Sequence, residues 1–94
     1  MPYIVDEKRN VLDPHIEAIL NALRELESDD PSNNMEGNIN YIITRILHRV
    51  YKDGGYRGVN DAMGAVFCAS LEFYRKVAAP YEDQKEFENG PVQG

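Results

Sequence analysis

Seven side chains in this 94-residue chain are of the types and spacing that could do chemistry together: Arg45, His48, Arg49, Lys52, Arg57, Glu72 and Arg75. Arg45, Arg49 and Lys52 recur at i, i+4 and i+7, so a helix carries them on one strip, with Tyr41, Tyr51 and Tyr56 close by in sequence. Cations in such a strip meet phosphates while bases stack on the tyrosines, which is the chemistry of nucleotide or single-strand binding. A solvated helix face with local ion pairs accounts for the same residues and is the stronger reading. Glu72 stands among small residues on the face of Cys68 and Ala69, where a partly buried carboxylate needs a partner. Arg45, Arg49 or Arg75 could supply it, and such a pair is more often structural than catalytic.

Other reactive groups do not assemble into a catalytic set. Cys68, His15 and His48 are three scattered candidates, whereas a closed zinc site takes four ligands in closely spaced pairs. No charge adjoins Cys68 in sequence to lower its thiol pKa, so it is expected to be a core cysteine. A magnesium-dependent nucleotide hydrolase needs carboxylates one turn apart that converge on one point. Glu27 with Asp30 and Asp83 with Glu86 have that spacing, but they lie at a helix end and in a polar tail. The loop Lys52–Gly58 could cradle an anion at a helix N-terminus, yet it lacks the ending of a phosphate-binding loop and follows no strand. A plain connection is the better reading. No catalytic residue, metal site or cofactor is expected.

The elements that would position these residues are helical. Asp13-Pro14 reads as an N-cap followed by a first-turn proline. Ile16, Ile19, Leu20, Leu23 and Leu26 then form one apolar stripe, ending near Glu27 before the turn-forming run Ser28–Asn34. Ile39, Ile42, Ile43, Ile46, Leu47 and Val50 mark a second helix from Glu36–Asn38 to Lys52, closed by Gly54 or Gly55 in the left-handed conformation. A third helix, capped by Asn60 and running from Asp61 to Ala78, carries Met63, Val66, Phe67, Leu71, Tyr74 and Val77. Apolar on most sides, it is expected to be buried as a central or oligomer helix. Pro80 should stop it, and Tyr81–Glu88 adds one or two final turns. The expected fold is all-α, a small helical bundle of three main helices plus a short C-terminal fourth. It forms one domain over residues 1–94, with an N-terminal arm over 1–12 and a mobile tail over 89–94.

Composition narrows the function classes. At 43% hydrophobic and 28% charged, the chain is that of a folded protein. No apolar run approaches the roughly 18 residues of a membrane span, and no secretory signal is visible. A single cysteine rules out an intramolecular disulfide framework and fits a reducing, cytoplasmic setting. Net charge is −6, which disfavours a nucleic-acid coat or a binder of anionic membranes. The charge is uneven: residues 1–34 carry −5, residues 35–80 carry +2 and residues 81–94 carry −3. Acidic outer segments folding over a basic middle is the plain explanation; an anion site, or complementarity between subunits, are the others. So short a chain buries little, and its apolar third helix favours a homodimer or higher oligomer.

Four blocks together are distinctive: Met1-Pro2-Tyr3-Ile4, Leu12–Ala18 (Leu-Asp-Pro-His-Ile-Glu-Ala), Asn40–His48 (Asn-Tyr-Ile-Ile-Thr-Arg-Ile-Leu-His) and Leu71–Asp83, with Glu88-Asn89-Gly90 closing the chain. They resemble a small uncharacterised family found in bacteriophages, bacteria and archaea. The resemblance implies an intracellular accessory protein of a phage or mobile element, in the host cytoplasm if phage-borne, and carries over no activity. The leading expectation is therefore a non-enzymatic homo-oligomer that interacts with another macromolecule, a protein in preference to nucleic acid. One alternative is a nucleotide- or phosphate-binding protein or enzyme using Arg45, Arg49, Arg57 and Glu72. Another is an acidic inhibitor of a basic host protein, presenting Asp29, Asp30, Glu82, Asp83 and Glu86.

Overall fold

In a computed structural model of the chain, residues 1–29, 32 and 34–94 are described. Asp30, a member of the carboxylate pair and of the acidic set above, lies outside them, as does part of the turn-forming run. The architecture is all-α: α1 spans Asp6–Asp29, α2 Met35–Tyr51, α3 Gly55–Phe73 and α4 Ala79–Asn89. A π turn over Tyr74–Ala78 joins α3 to α4. No strand occurs among the described residues, and the expected three main helices with a C-terminal fourth are present. The chain divides into two compact units, Tyr3–Val59 and Asn60–Gly94, the second including Met1–Pro2.

In the unit Tyr3–Val59, α1 begins seven residues before the expected Asp13 and takes in much of the segment read as an arm. The start is held locally. The N–H groups of Lys8 and Arg9 both donate to the Val5 carbonyl at 3.1 Å, and the Arg9 guanidinium donates to the Ile4 carbonyl at 2.7 Å. Asp6 and Glu7 place negative charge in the first turn, at the positive end of the helix dipole. Pro14 thus sits inside α1 and not at its first position. It has no N–H for the Asn10 carbonyl one turn back, a defect the helix carries.

The start of α2 lies one residue beyond a capping side chain within the turn-forming run. Asn34, with extended backbone, accepts a hydrogen bond from the Gly37 N–H through its side chain at 2.7 Å. That satisfies one of the orphan donors of the first turn. α1 packs against α2, with Leu23 the buried residue of the contact and Ile42 and Leu47 half-buried. An apolar groove of about 250 Å³ runs beside it, lined by Ile19, Leu23, Leu26, Tyr41 and Ile42 among others. The C-terminal half of α1 therefore meets the first half of α2. Farther along the two stripes, Ile16, Leu20, Ile46 and Val50 stay exposed.

Glycines set the passage from α2 to α3. Gly55 takes φ 63°, the left-handed conformation expected of Gly54 or Gly55. Gly54 serves by close approach: a Cβ there would lie 2.8 Å from the Gly58 Cα. The Gly54 N–H donates to the Tyr51 carbonyl and the Gly58 N–H to the Gly54 carbonyl, each at 3.0 Å. With the turn finished this early, α3 begins at Gly55 and Asn60 falls inside the helix, so the expected cap at Asn60 is not formed.

In the unit Asn60–Gly94, the helical backbone does not stop at Pro80. The Ala79 N–H donates to the Tyr74 carbonyl five residues back, and the widened turn delivers Pro80 into the first turn of α4. There its missing N–H costs little. Gly90, at φ 89°, ends α4 with its N–H on the Glu86 carbonyl at 2.7 Å.

The expectation of a buried third helix is corrected. Ala62 is the buried hydrophobic residue of α3, with Gly58 buried near its start, while Met63, Phe67 and Leu71 are exposed, and Cys68, expected in the core, is exposed too. The reason is geometric: a helix cannot cover its own flank, and α3 meets no second helix in its unit.

Two substitutions should move stability in opposite directions. Asn34→Ala removes the α2 cap and should cost about 1 kcal/mol. Pro14→Ala restores a backbone donor in an exposed helix interior and should gain up to about 3 kcal/mol. Urea denaturation followed by circular dichroism reads both.

Candidate macromolecule-binding surface

The basic strip sits where its spacing placed it. Arg45, His48 and Arg49 lie in α2, Lys52 directly follows the helix, and Arg57 lies in the first turn of α3. All five belong to the unit Tyr3–Val59. Arg45 is the most closely held. Its Nη1 donates to the Tyr41 hydroxyl at 2.9 Å, and its guanidinium carbon stands 5.7 Å from the centre of that ring. The i, i+4 relation brings the two together on one helix face, and Tyr41 in turn lines the apolar groove against α1. One side chain thus links the packing of the helix pair to the orientation of a surface cation.

Among the described residues, Arg45, His48, Arg49, Lys52 and Arg57 enter no ion pair. The ion pairs expected of a merely solvated helix face are not found on this strip. Cations a turn apart along a rigid helix can meet carboxylates or phosphates of similar pitch, with the arginines offering bidentate geometry.

Glu72 and Arg75 belong to the other unit. Glu72 is half-buried, as its place among small residues suggested, and it receives the Arg75 guanidinium at 3.0 Å. Arg75 supplies the charge required by the carboxylate, at i+3 on the same helical run, which is the structural reading of this pair. Of the acidic set, Glu82, Asp83 and Glu86 lie on α4, and Glu82 accepts a hydrogen bond from the Tyr74 hydroxyl at 3.0 Å. That contact, spanning the π turn at a separation of eight residues, was not anticipated. Its one signal in the sequence is Pro80, which forces the widened turn. No group of three or more His, Cys, Asp or Glu side chains among the described residues is placed to hold a metal ion. No helix among them is long and apolar enough to cross a membrane.

The Tyr74–Glu82 contact has a titration signature. The hydrogen bond to Glu82, followed by that carboxylate's charge, slight desolvation and Asp83, holds the Tyr74 phenol above its ordinary value of 10.0. A raised folded-state value means that the contact's contribution is complete below pH 10 and is lost as pH rises through the raised value. Glu82→Gln should therefore bring Tyr74 down toward 10. A pH titration of the tyrosine ring carbons by NMR reads this, and an unmoved midpoint would contradict it.

No curated protein and no solved structure matches the chain. A family model described as a domain of unknown function (DUF6899) matches residues 1–92. The match takes in all four helices and both compact units, and with them the four sequence blocks that suggested an uncharacterised family. The chain belongs to the DUF6899 family.

Proposed function

We propose that this protein is a non-enzymatic, homo-oligomeric helical protein that works by binding another macromolecule, a protein in the first instance, through the basic face of α2. The observation that carries the oligomeric part is the scarcity of burial in one chain. Leu23 and Ala62 are its buried hydrophobic residues among those described, each 8% exposed.

The binding part rests on the strip Arg45, Arg49 and Lys52, basic in a chain of net charge −6 and without ion pairs among the described residues. An acidic protein surface fits it by charge. A whole nucleic acid does so less well, because the remainder of an acidic chain repels phosphate. An accessory role in a phage or mobile element is part of the same proposal and follows from the sequence resemblance.

Thermal unfolding at two protein concentrations, with and without ligands, tests both parts. Association raises the melting temperature with concentration, by several degrees over a hundredfold range. Nucleoside mono- and triphosphates should give no shift with or without Mg²⁺, whereas a ligand at a hundred times its dissociation constant stabilises by about 2.7 kcal/mol. A melting temperature independent of concentration would contradict the oligomer. A nucleotide shift that requires Mg²⁺ would contradict the non-enzymatic reading.

A further inference from the structure

We infer that the exposed stripe Met63, Phe67, Leu71 and Tyr74 is the seam at which two copies of this chain meet. The inference rests on the homo-oligomer reading and names the surface responsible for it. The four residues recur at i, i+4, i+8 and i+11, which puts them on one face of the helical run. They are 65%, 64%, 51% and 49% exposed in the single chain. Within the unit Asn60–Gly94 the polypeptide forms a single helical run with no second helix packed on it, so the cover for this stripe comes from outside the unit.

Charge selects a second copy as that cover. Two copies each carrying −6 repel one another over most of their surface. α1 carries −4 and α4 carries −3, counted over Asp6–Asp29 and Ala79–Asn89. Residues 35–59, with Glu36 and Asp53 against Arg45, Arg49, Lys52 and Arg57, carry +2 and repel their own like, whereas residues 60–81 are neutral: Asp61 and Glu72 balance Arg75 and Lys76. Beside the stripe, the Glu72 carboxylate and the Arg75 guanidinium already satisfy each other within one chain at 3.0 Å. The stripe itself has two aromatic residues, a methionine and a leucine, with no charged group. Aromatic residues and methionine are what the buried centre of an interface is enriched in, and charge is what it lacks. A two-fold dimer uses the same patch from both copies, so the patch must be compatible with itself. An uncharged apolar stripe in an electrically neutral stretch meets that condition, where the acidic faces of α1 and α4 do not.

Sedimentation equilibrium of the wild type, Phe67→Glu and Phe87→Glu tests the seam, with hydrogen–deuterium exchange of the wild type at low and high concentration. Phe87 is an 86% exposed phenylalanine of α4 outside the stripe, and its substitution adds the same charge. Phe67→Glu should raise the dimer dissociation constant about a hundredfold or more, and Phe87→Glu should leave it within about threefold. Amides of residues 60–77 should gain protection as the wild-type concentration rises. That measurement decides the question if Phe67→Glu does not fold. A wild type that stays at 10.7 kDa at every concentration overturns the oligomer reading together with the seam. A wild type that associates, with Phe67→Glu no weaker than Phe87→Glu and concentration-dependent protection only outside residues 60–77, overturns the seam alone.

Discussion

An apolar stripe on a helix is stable in water only when another surface covers it, and this requirement governs the rest of the molecule. Isolated helices are marginal because nucleation is costly, and most of their stability in proteins comes from burying one face. α1 and α2 meet that need partly, by the contact in which Leu23 is buried. α3, whose sequence is the most apolar of the four, has little cover: Ala62 is its one buried hydrophobic side chain, and Met63, Phe67 and Leu71 are exposed. Helices so well specified with so few buried side chains fit the proposed subunit, whose burial association would complete.

Charge divides the labour along the chain. In the proposed assembly the acidic α1 and α4 carry like charge that sets copies apart. On the same proposal the neutral stretch between them is where copies meet, and the basic strip of α2 is the surface offered to another partner. Arg45 is fixed to the ring and hydroxyl of Tyr41, which itself lines the groove between α1 and α2. A guanidinium positioned in this way loses less freedom on binding than a free one, so a partner surface gains more from it.

Much of this was legible in the residues, and the failures have physical causes. The six apolar positions of α2 and its basic strip follow the helical period without interruption, so both the helix and its outward face could be read directly. The Glu72–Arg75 pair was within reach for the same reason, since i, i+3 spacing on a helix brings side chains together. Proline misled at the boundaries. Pro14 looked like the first residue of a helix because that is where proline costs least, yet the bonds made by Lys8 and Arg9 begin α1 at Asp6. Pro80 looked like a stop, but a π turn lets the backbone pass it, and that turn also brings Tyr74 to Glu82. Cys68 was assigned to a core because its sequence neighbours are apolar and no charge adjoins it. Such a pattern marks a face that needs cover without saying whether the cover comes from the same chain.

The mass of the protein in solution, measured by light scattering across a concentration series with helical content followed in parallel, tests this account most directly. The account predicts a species of at least twice 10.7 kDa at micromolar concentration, losing helicity as dilution drives it apart. A fully helical 10.7 kDa monomer at every concentration would contradict it, because the stripe of α3 would then be stable without a second copy to cover it.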